Sequence, residues 1–392
     1  KKIQNEKSLI RKIKFLFIYL YCIIIRPYLL IDIYSTRNFK LKCFIFSLGQ
    51  LLPVSLSSLY LNKNLNLKNK YKNSKTIFIN ENDEFDEVVN NIINYCFPKI
   101  FFSDVDISKF NFLKKIKGII NSVNITSQDY FRFIISVLSK KRVYSLQHGG
   151  LYNLQKKNLI EKFEKENSKF LGWEKSFSLQ AYFDHKFHEK SLFNQKKKII
   201  LFTTIKNINI VRYESETVEF KTNGDFVQNN FNFYKNLNIQ LRKNLIVRLP
   251  KHDYNWSLEK IWEKKVKNFD KGLKLPNFFN LDSSENAIKN SRIFVCDHIS
   301  TAFFEALYSG IPILVFDDLK KYEFKSKFLK LLLNLKKNNI IHDSPEECAA
   351  FINSHYNNIN KWWNDKKTKE VINNLKKNIF ANKYKVNISN FL

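Results

Sequence analysis

The sequence predicts an α/β protein of two Rossmann-like domains followed by a helical C-terminal tail. Short apolar runs alternate with helical patterns from about residue 75. The alternation restarts near 197 after a polar linker, and from Glu346 the pattern is helical only. Strands alternating with helices imply parallel βαβ units. A chain of 392 residues is long enough for two such domains, each with its own core.

KTIFIN (75–80) reads as a strand, and DEFDEVVNNIINYC (83–96) as a helix with acidic residues in its first turn. PKIFFSD (98–104) reads as a strand, DYFRFIISVLS (129–139) as a helix and RVYSLQ (142–147) as a strand. A polar, charged stretch covers 153–169, KFLGWEK (169–175) suggests another strand, and 184–197 reads as a linker. KKIILFTT (197–204) is a strand ending in two threonines, 225–243 a helix and NLIVRLP (244–250) a strand. Residues 286–290 end a short helix, RIFVCD (292–297) is a strand, Thr301 to Ser309 a helix and IPILVFDD (311–318) a strand. This places an N-terminal domain at 1–190, a C-terminal domain at 191–365 and a C-terminal helical segment at 366–392, with no internal repeat.

Composition bounds the function. Hydrophobic residues make up 44%, with 37 Phe and 18 Tyr, which is a globular and not a disordered composition. The abundance of Lys, Asn, Ile and Phe beside few Gly resembles codon drift in an AT-rich genome, so single lysines carry little functional weight. A net charge of +30 favours anionic partners, among them phosphorylated substrates and acidic membrane surfaces. No basic helix with interleaved aromatics is present, so nucleic acid is not an expected partner. Five cysteines at 22, 43, 96, 296 and 348 share no short spacing, which fits a reducing cytoplasm better than a disulfide framework or a zinc site. The sequence has no Met, so the N-terminus is expected to be processed or incomplete. FLFIYLYCIII (15–25) is uninterrupted apolar but stops at Arg26, short of the roughly 20 residues a span needs. A buried or interfacial helix is the first reading of residues 15–33, peripheral membrane contact the second and a span the third.

Ligands of open α/β sheets bind at the carboxyl ends of the strands, and three strand ends here carry unusual polar residues. The first is SLQHGG (145–150), where Gln147 and His148 precede Gly149 and Gly150. The two glycines allow close backbone approach or a positive φ. A histidine there suits a proton acceptor for a hydroxyl nucleophile, or else a structural cap. The second is VRLPKHDYNW (247–256), where Arg248, Lys251, His252 and Asp253 flank a proline. Arg and a protonated His suit a phosphate gaining charge as it leaves, and the alternative is an ordinary basic loop. The third is CDHISTAFFE (296–305), where Ser300 and Thr301 open a helix whose free amides could bind phosphate. The competing role for Ser300 is a simple N-cap. Glu305 could accept from ribose hydroxyls. Neither GxxxxGK[ST] nor GxGxxG after a strand occurs, and no HExxH or paired metal-ligand spacing appears, so neither a metal nor a cofactor is expected.

QHGG, RLPKHD and CDHISTAFFEALYSGIPILVFDD, in this order, resemble a family of transferases first catalogued in Leptospira and associated with surface carbohydrate synthesis. Further landmarks are Leu171-Gly172-Trp173, Phe202-Thr203-Thr204 and the pair Trp362-Trp363. The resemblance covers about 140–370 well and 1–60 more loosely. Where the family has Tyr-Pro this chain has Leu249-Pro250-Lys251, its Gly is Asn255, and the second Thr of its STT element is Ala302. More broadly, the order of elements is similar to capsule Kdo transferases and to the glycerophosphotransferases of teichoic acid synthesis, whose two domains face a cleft in a GT-B arrangement. That likeness implies a nucleotide-activated donor, cytidine-based, and a glycan or lipid-linked acceptor. It makes His148 the base and sets Arg248, His252, Ser300 and Thr301 on the donor phosphate. Gln147, Gly149, Gly150, Thr203, Thr204, Lys251, Asp253 and Glu305 complete the expected binding set. The function so implied is a metal-independent glycosyltransferase moving a sugar, an ulosonic acid among the options, at the cytoplasmic face of a membrane. A polyol-phosphate transferase and a degenerate nucleotide- or glycan-binding protein are the alternatives.

Overall fold

The computed structural model describes residues 2–33, 37–55, 112–122, 142–173, 198–204, 222–250, 256–271 and 284–380, with 84, 86–88, 125, 131, 132 and 135 as isolated positions. The chain divides into two compact units. One holds 1–146, 163–171 and 387–392, the other 147–162 and 172–386.

The first unit begins with α1 (Lys2–Ile25), β1 (Tyr28–Ile31), α2 (Arg37–Phe46) and β2 (Leu51–Val54). β3 (Gly118–Asn121) and β4 (Val143–Leu146) follow, then α3 (Leu159–Asn167), which crosses the division, and β5 (Lys169–Leu171). The described strands form one sheet in the order β2-β1-β3-β4-β5, every pair parallel. Its central strands are buried, with Leu29, Ile31, Ile119 and Val143 apolar and the polar Asn121 and Ser145 enclosed among them. Phe15, Ile18 and Cys22 turn the inner side of α1 onto this core, together with Phe112 and Ile116.

The second unit runs β6 (Ile199–Phe202), α4 (Thr222–Asn236), α5 (Ile239–Arg242), β7 (Leu245–Arg248), α6 (Leu258–Phe269) and α7 (Ser284–Lys289). It continues through β8 (Ile293–Cys296), α8 (Thr301–Ser309), β9 (Ile313–Phe316), α9 (Ser326–Lys337) and β10 (Ile341–His342). α10 (Pro345–His355), α11 (Ile359–Asn364) and α12 (Lys366–Ile379) end the described chain. The strand order is β7-β6-β8-β9-β10, again all parallel. The direction of winding therefore reverses between β6 and β8, which is where a doubly wound sheet opens its ligand crevice.

Two differences from the sequence expectation have local causes. The helix expected over 225–243 divides at Asn238, whose backbone turns to ψ 146° and donates its N–H to Asn353 Oδ1 at 2.8 Å. The polar stretch 153–169 contains α3, nucleated where Asn158 Oδ1 accepts from the Glu161 N–H at 2.9 Å. The strands expected at 75–80 and 98–104 lie outside the described residues. In the segment expected as helix over 83–96, positions 84 and 86–88 are helical.

α8 and the tryptophan pair are tied together. Gly310 ends α8 at φ 80°, a left-handed conformation that suits glycine, and the buried Trp363 indole donates to its carbonyl at 2.7 Å. No described helix is long and apolar enough to cross a membrane. The described cysteines, at 22, 43, 296 and 348, are buried free thiols.

Candidate functional site

At the crevice of the second unit the chain leaves β8 through Asp297-His298-Ile299-Ser300 and enters α8 at Thr301. Three anchors hold this turn. Asp297 Oδ2 accepts from the Thr204 N–H at 2.7 Å, just beyond β6, and from Asn230 Nδ2 of α4 at 3.1 Å. Asp297 Oδ1 lies 2.8 Å from His298 Nδ1, which fixes the proton on that nitrogen and leaves Nε2 the acceptor when the ring is neutral. The second anchor is Asp317, beyond β9, whose Oδ2 accepts from the Ile299 N–H and the Tyr322 hydroxyl, each at 2.9 Å. Burial pushes the Asp317 carboxyl up to about 6, against the lowering effects of His298, the Ile299 amide, Tyr322 and Lys321.

The third anchor is the QHGG loop. Thr301 Oγ1 accepts from the Gly150 N–H at 3.1 Å and donates to the His148 carbonyl at 3.3 Å. A Cβ on Gly150 would sit 2.5 Å from the Phe304 ring and 3.1 Å from the Ser300 carbonyl carbon. Gly150 is thus demanded by close packing on the start of α8. Neither Gly149 nor Gly150 has a positive φ, so close approach, and not a left-handed turn, is what these glycines provide.

The rest of the loop is fastened within the same unit. Gln147 is buried, with Oε1 accepting from the Trp173 N–H (2.9 Å) and Nε2 donating to the Gly149 carbonyl (2.9 Å). The Trp173 indole donates to the Gln147 carbonyl at 3.1 Å, packs edge-on to Phe304 and stacks on Phe380. Farther along, the Lys156 and Lys325 amides donate to the Glu323 and Leu154 carbonyls, at 2.7 and 2.9 Å. These ties leave the half-buried His148 ring edge-to-face with Tyr152, its Nε2 3.3 Å from the Tyr152 hydroxyl.

The structure thus brings together Gln147, His148, Gly149, Gly150, Ser300 and Thr301, and, through Asp297, Thr204. Ser300 precedes α8 in an extended conformation but its side chain makes no capping hydrogen bond, so the first amides of the helix are not taken up by it. Its hydroxyl lies instead by Cys296, pulling that thiol down slightly while burial and the Asp297 charge push it well up. A thiol so raised stays protonated and is no nucleophile. Thr203 donates its hydroxyl to the Arg248 carbonyl at 3.1 Å, and the Arg248 guanidinium lies 4.5 Å from the centre of the Phe202 ring. Glu305 is 1% exposed on α8. Lys251, His252 and Asp253 lie outside the described residues.

Asp297, His298, Asn230, Asp317 and Tyr322 are site residues that the sequence reading passes over. Asp297 and His298 stood in plain view inside the third motif. The Asp that follows an apolar strand recurs at 297 and 317, and in both places it holds the turn after β8. Among the described residues no group of three His, Cys, Asp or Glu could hold a metal ion. What the arrangement offers chemically is an imidazole on a strapped loop, a second imidazole oriented by a carboxylate, and the start of α8 without a side-chain cap.

Similar folds are known. An assigned UDP-N-acetylglucosamine 2-epimerase from Listeria monocytogenes is 12% identical at a TM-score of 0.43, covering 89% of this chain and 95% of its own. A glycosyltransferase from Rickettsia africae is 11% identical at a TM-score of 0.42, with 92% and 95% covered. The wall teichoic acid polymerase TagF is 12% identical at a TM-score of 0.40, with 96% and 92% covered. These likenesses are too distant in sequence and shape to carry a functional argument. No curated protein matches the chain in sequence. A family model described as LIC12162 family transferase matches residues 1–389, and the chain belongs to that family of transferases.

Proposed function

We propose that this transferase is a GT-B-type glycosyltransferase that moves a sugar from a nucleotide-activated donor to a surface-glycan or lipid-linked acceptor. The observation that carries the reading is the bridge from Thr301 Oγ1 to both His148 and Gly150, which sets a basic imidazole beside a helix start able to take a phosphate. His148 removes the acceptor proton at Nε2, exchanging its contact with Tyr152 for one with the acceptor hydroxyl. The first amides of α8 hold the donor phosphate, joined by the Ser300 hydroxyl once it rotates away from Cys296, and Arg248 supplies charge from the end of β7 as the leaving group develops. His298, held by Asp297, can stabilise the charge on that leaving oxygen when its ring is protonated. One direct displacement inverts the anomeric carbon: the acceptor oxygen bonds to it as the phosphate oxygen leaves with the bonding pair.

Thr301 takes a different part from a phosphate ligand in this scheme. Both functions of its hydroxyl are used on the QHGG loop, so it positions His148 and leaves the phosphate to its neighbours. The donor is cytidine-activated, an ulosonic acid being one candidate sugar, and no metal enters. The enzyme works at the cytoplasmic face of a membrane, a reading supported by the net charge of +30.

The test is a nucleotide-release assay across CMP-, CDP-, UDP- and GDP-activated donors with a glycan acceptor. Release of CMP from a CMP-sugar, dependent on acceptor, supports the reading. Turnover of CDP-glycerol alone would make the protein a polyol-phosphate transferase, and nucleotide binding without any release would make it a binding protein.

A further inference from the structure

The first unit presents a surface that the transfer chemistry does not use. α1 is anchored by Phe15, Ile18 and Cys22, yet its opposite side is apolar as well. Leu16 is 55% exposed, Phe17 70% and Ile24 73%, with Leu20 between them on the same stripe. A surface helix of a freely soluble protein carries polar residues there. Beside it, α2 ends at Phe46, 68% exposed, and the following turn holds Leu48 at φ 50° with 90% of the residue exposed. A leucine in the left-handed region is strained, and here the strain serves to hold an apolar side chain out at a tip.

The two features form one face. Tyr21 donates its hydroxyl to the Gly49 carbonyl at 3.0 Å. It lies on α1 one turn after Phe17 and just under one turn before Ile24, so the Leu48 turn runs alongside the stripe. Charge picks out the same region. From residue 7 to residue 55 the only acidic residue is Asp32, against eight Lys and Arg, whereas the whole chain has 66 basic and 36 acidic residues. Lys14, Arg26 and Lys42 are exposed at its edges.

We propose that this α1–α2 face is a docking surface for an anionic lipid bilayer, its apolar side chains in the interfacial layer and its cations at the headgroups. Exposed aromatic and leucine side chains ringed by cations, with almost no anions, match the two attractions that hold a helix on such a surface. A second copy of this chain would bring the same cations face to face, and a span is not available to any described helix. The inference deepens the proposed function and rests on its lipid-linked acceptor, but its measurement does not depend on catalysis.

The experiment sediments the full chain with phosphatidylcholine vesicles, with and without phosphatidylglycerol, against a Phe17→Ser/Leu48→Ser variant. The wild type is expected to bind the anionic vesicles, to bind neutral ones weakly and to release with salt. The variant is expected to lose roughly tenfold or more in vesicle affinity, with an unchanged thermal midpoint and unchanged nucleotide release on a soluble acceptor. Failure of the wild type to bind anionic vesicles overturns the proposal, as does equal binding by the variant. A dimer that the double substitution dissociates, without vesicle binding, assigns the face to a second copy instead. Vesicle binding without nucleotide release leaves this inference standing and removes the proposed reaction.

Discussion

Thr301 and His148 stand 153 residues apart in the chain, and the Thr301 hydroxyl donates to the His148 carbonyl at 3.3 Å while accepting from the Gly150 N–H at 3.1 Å. One side chain at the mouth of α8 therefore sets where the candidate base sits. Removing it with little change of shape, as Thr301→Val, strands a loop carbonyl and amide. Each such bond is worth about 1 kcal/mol, so turnover is expected to fall by roughly five- to thirtyfold. Donor affinity measured by thermal shift should hold, and Thr301→Ser should restore turnover. Equal loss in the Ser and Val variants would contradict the positioning role.

Gly150→Ala tests the packing side of the same contact. The added methyl meets the Phe304 ring at 2.5 Å and backbone at 3.1 Å, so the loop must lift from α8. A loss of about 1–3 kcal/mol is expected in urea unfolding, in the range of core overpacking. A variant as stable as wild type would show that the loop is less tightly seated than the geometry requires.

Asp317 predicts a pH dependence. Its carboxyl titrates at about 6 in the folded protein, above the ordinary 3.8, chiefly through burial. The folded state then binds more protons than the unfolded chain between about pH 4 and 6, so stability contributed by this group falls as pH rises through that window. A shift of this size corresponds to about 3 kcal/mol. The change in unfolding free energy from pH 4 to pH 6 should differ between wild type and Asp317→Asn by about that amount in total. Parallel pH profiles would contradict the raised titration.

Trp363→Phe tests the brace at the far end of α8. It removes the indole donor to Gly310 and leaves a void at a fully buried position. The expected cost is about 2–3 kcal/mol, read as a lower urea midpoint at unchanged slope. A cost near zero would mean that Gly310 holds the helix end alone.

Much of this architecture is written in short-range pattern. The strands at 199–202, 245–248, 293–296 and 313–316 are continuous apolar runs ending in polar residues, and α8 occupies Thr301 to Ser309 as its periodicity requires. β3 is harder to see because Gly118 and Asn121 leave only two apolar residues between them, and Asn121 is paired inside the sheet through its side chain to the Tyr144 carbonyl. Two of the three motifs, at 145–150 and 296–305, meet in the structure, but the sequence shows neither their meeting nor the bonds that make it. Chain order cannot show that the Thr301 hydroxyl faces the QHGG loop or that Gln147 is a strap for Trp173. Asp297 and Asp317 looked like ordinary ends of strands, and only their distances to Thr204, Asn230 and Ile299 show them holding the turn.

Acceptor-dependent CMP release from a CMP-activated sugar by wild type and His148→Ala, with donor binding measured on both, tests His148 as the base. Release by the wild type is expected, with a fall of about a hundredfold or more in the variant and donor binding unchanged. A His148→Ala protein that releases CMP as fast as the wild type would contradict that role.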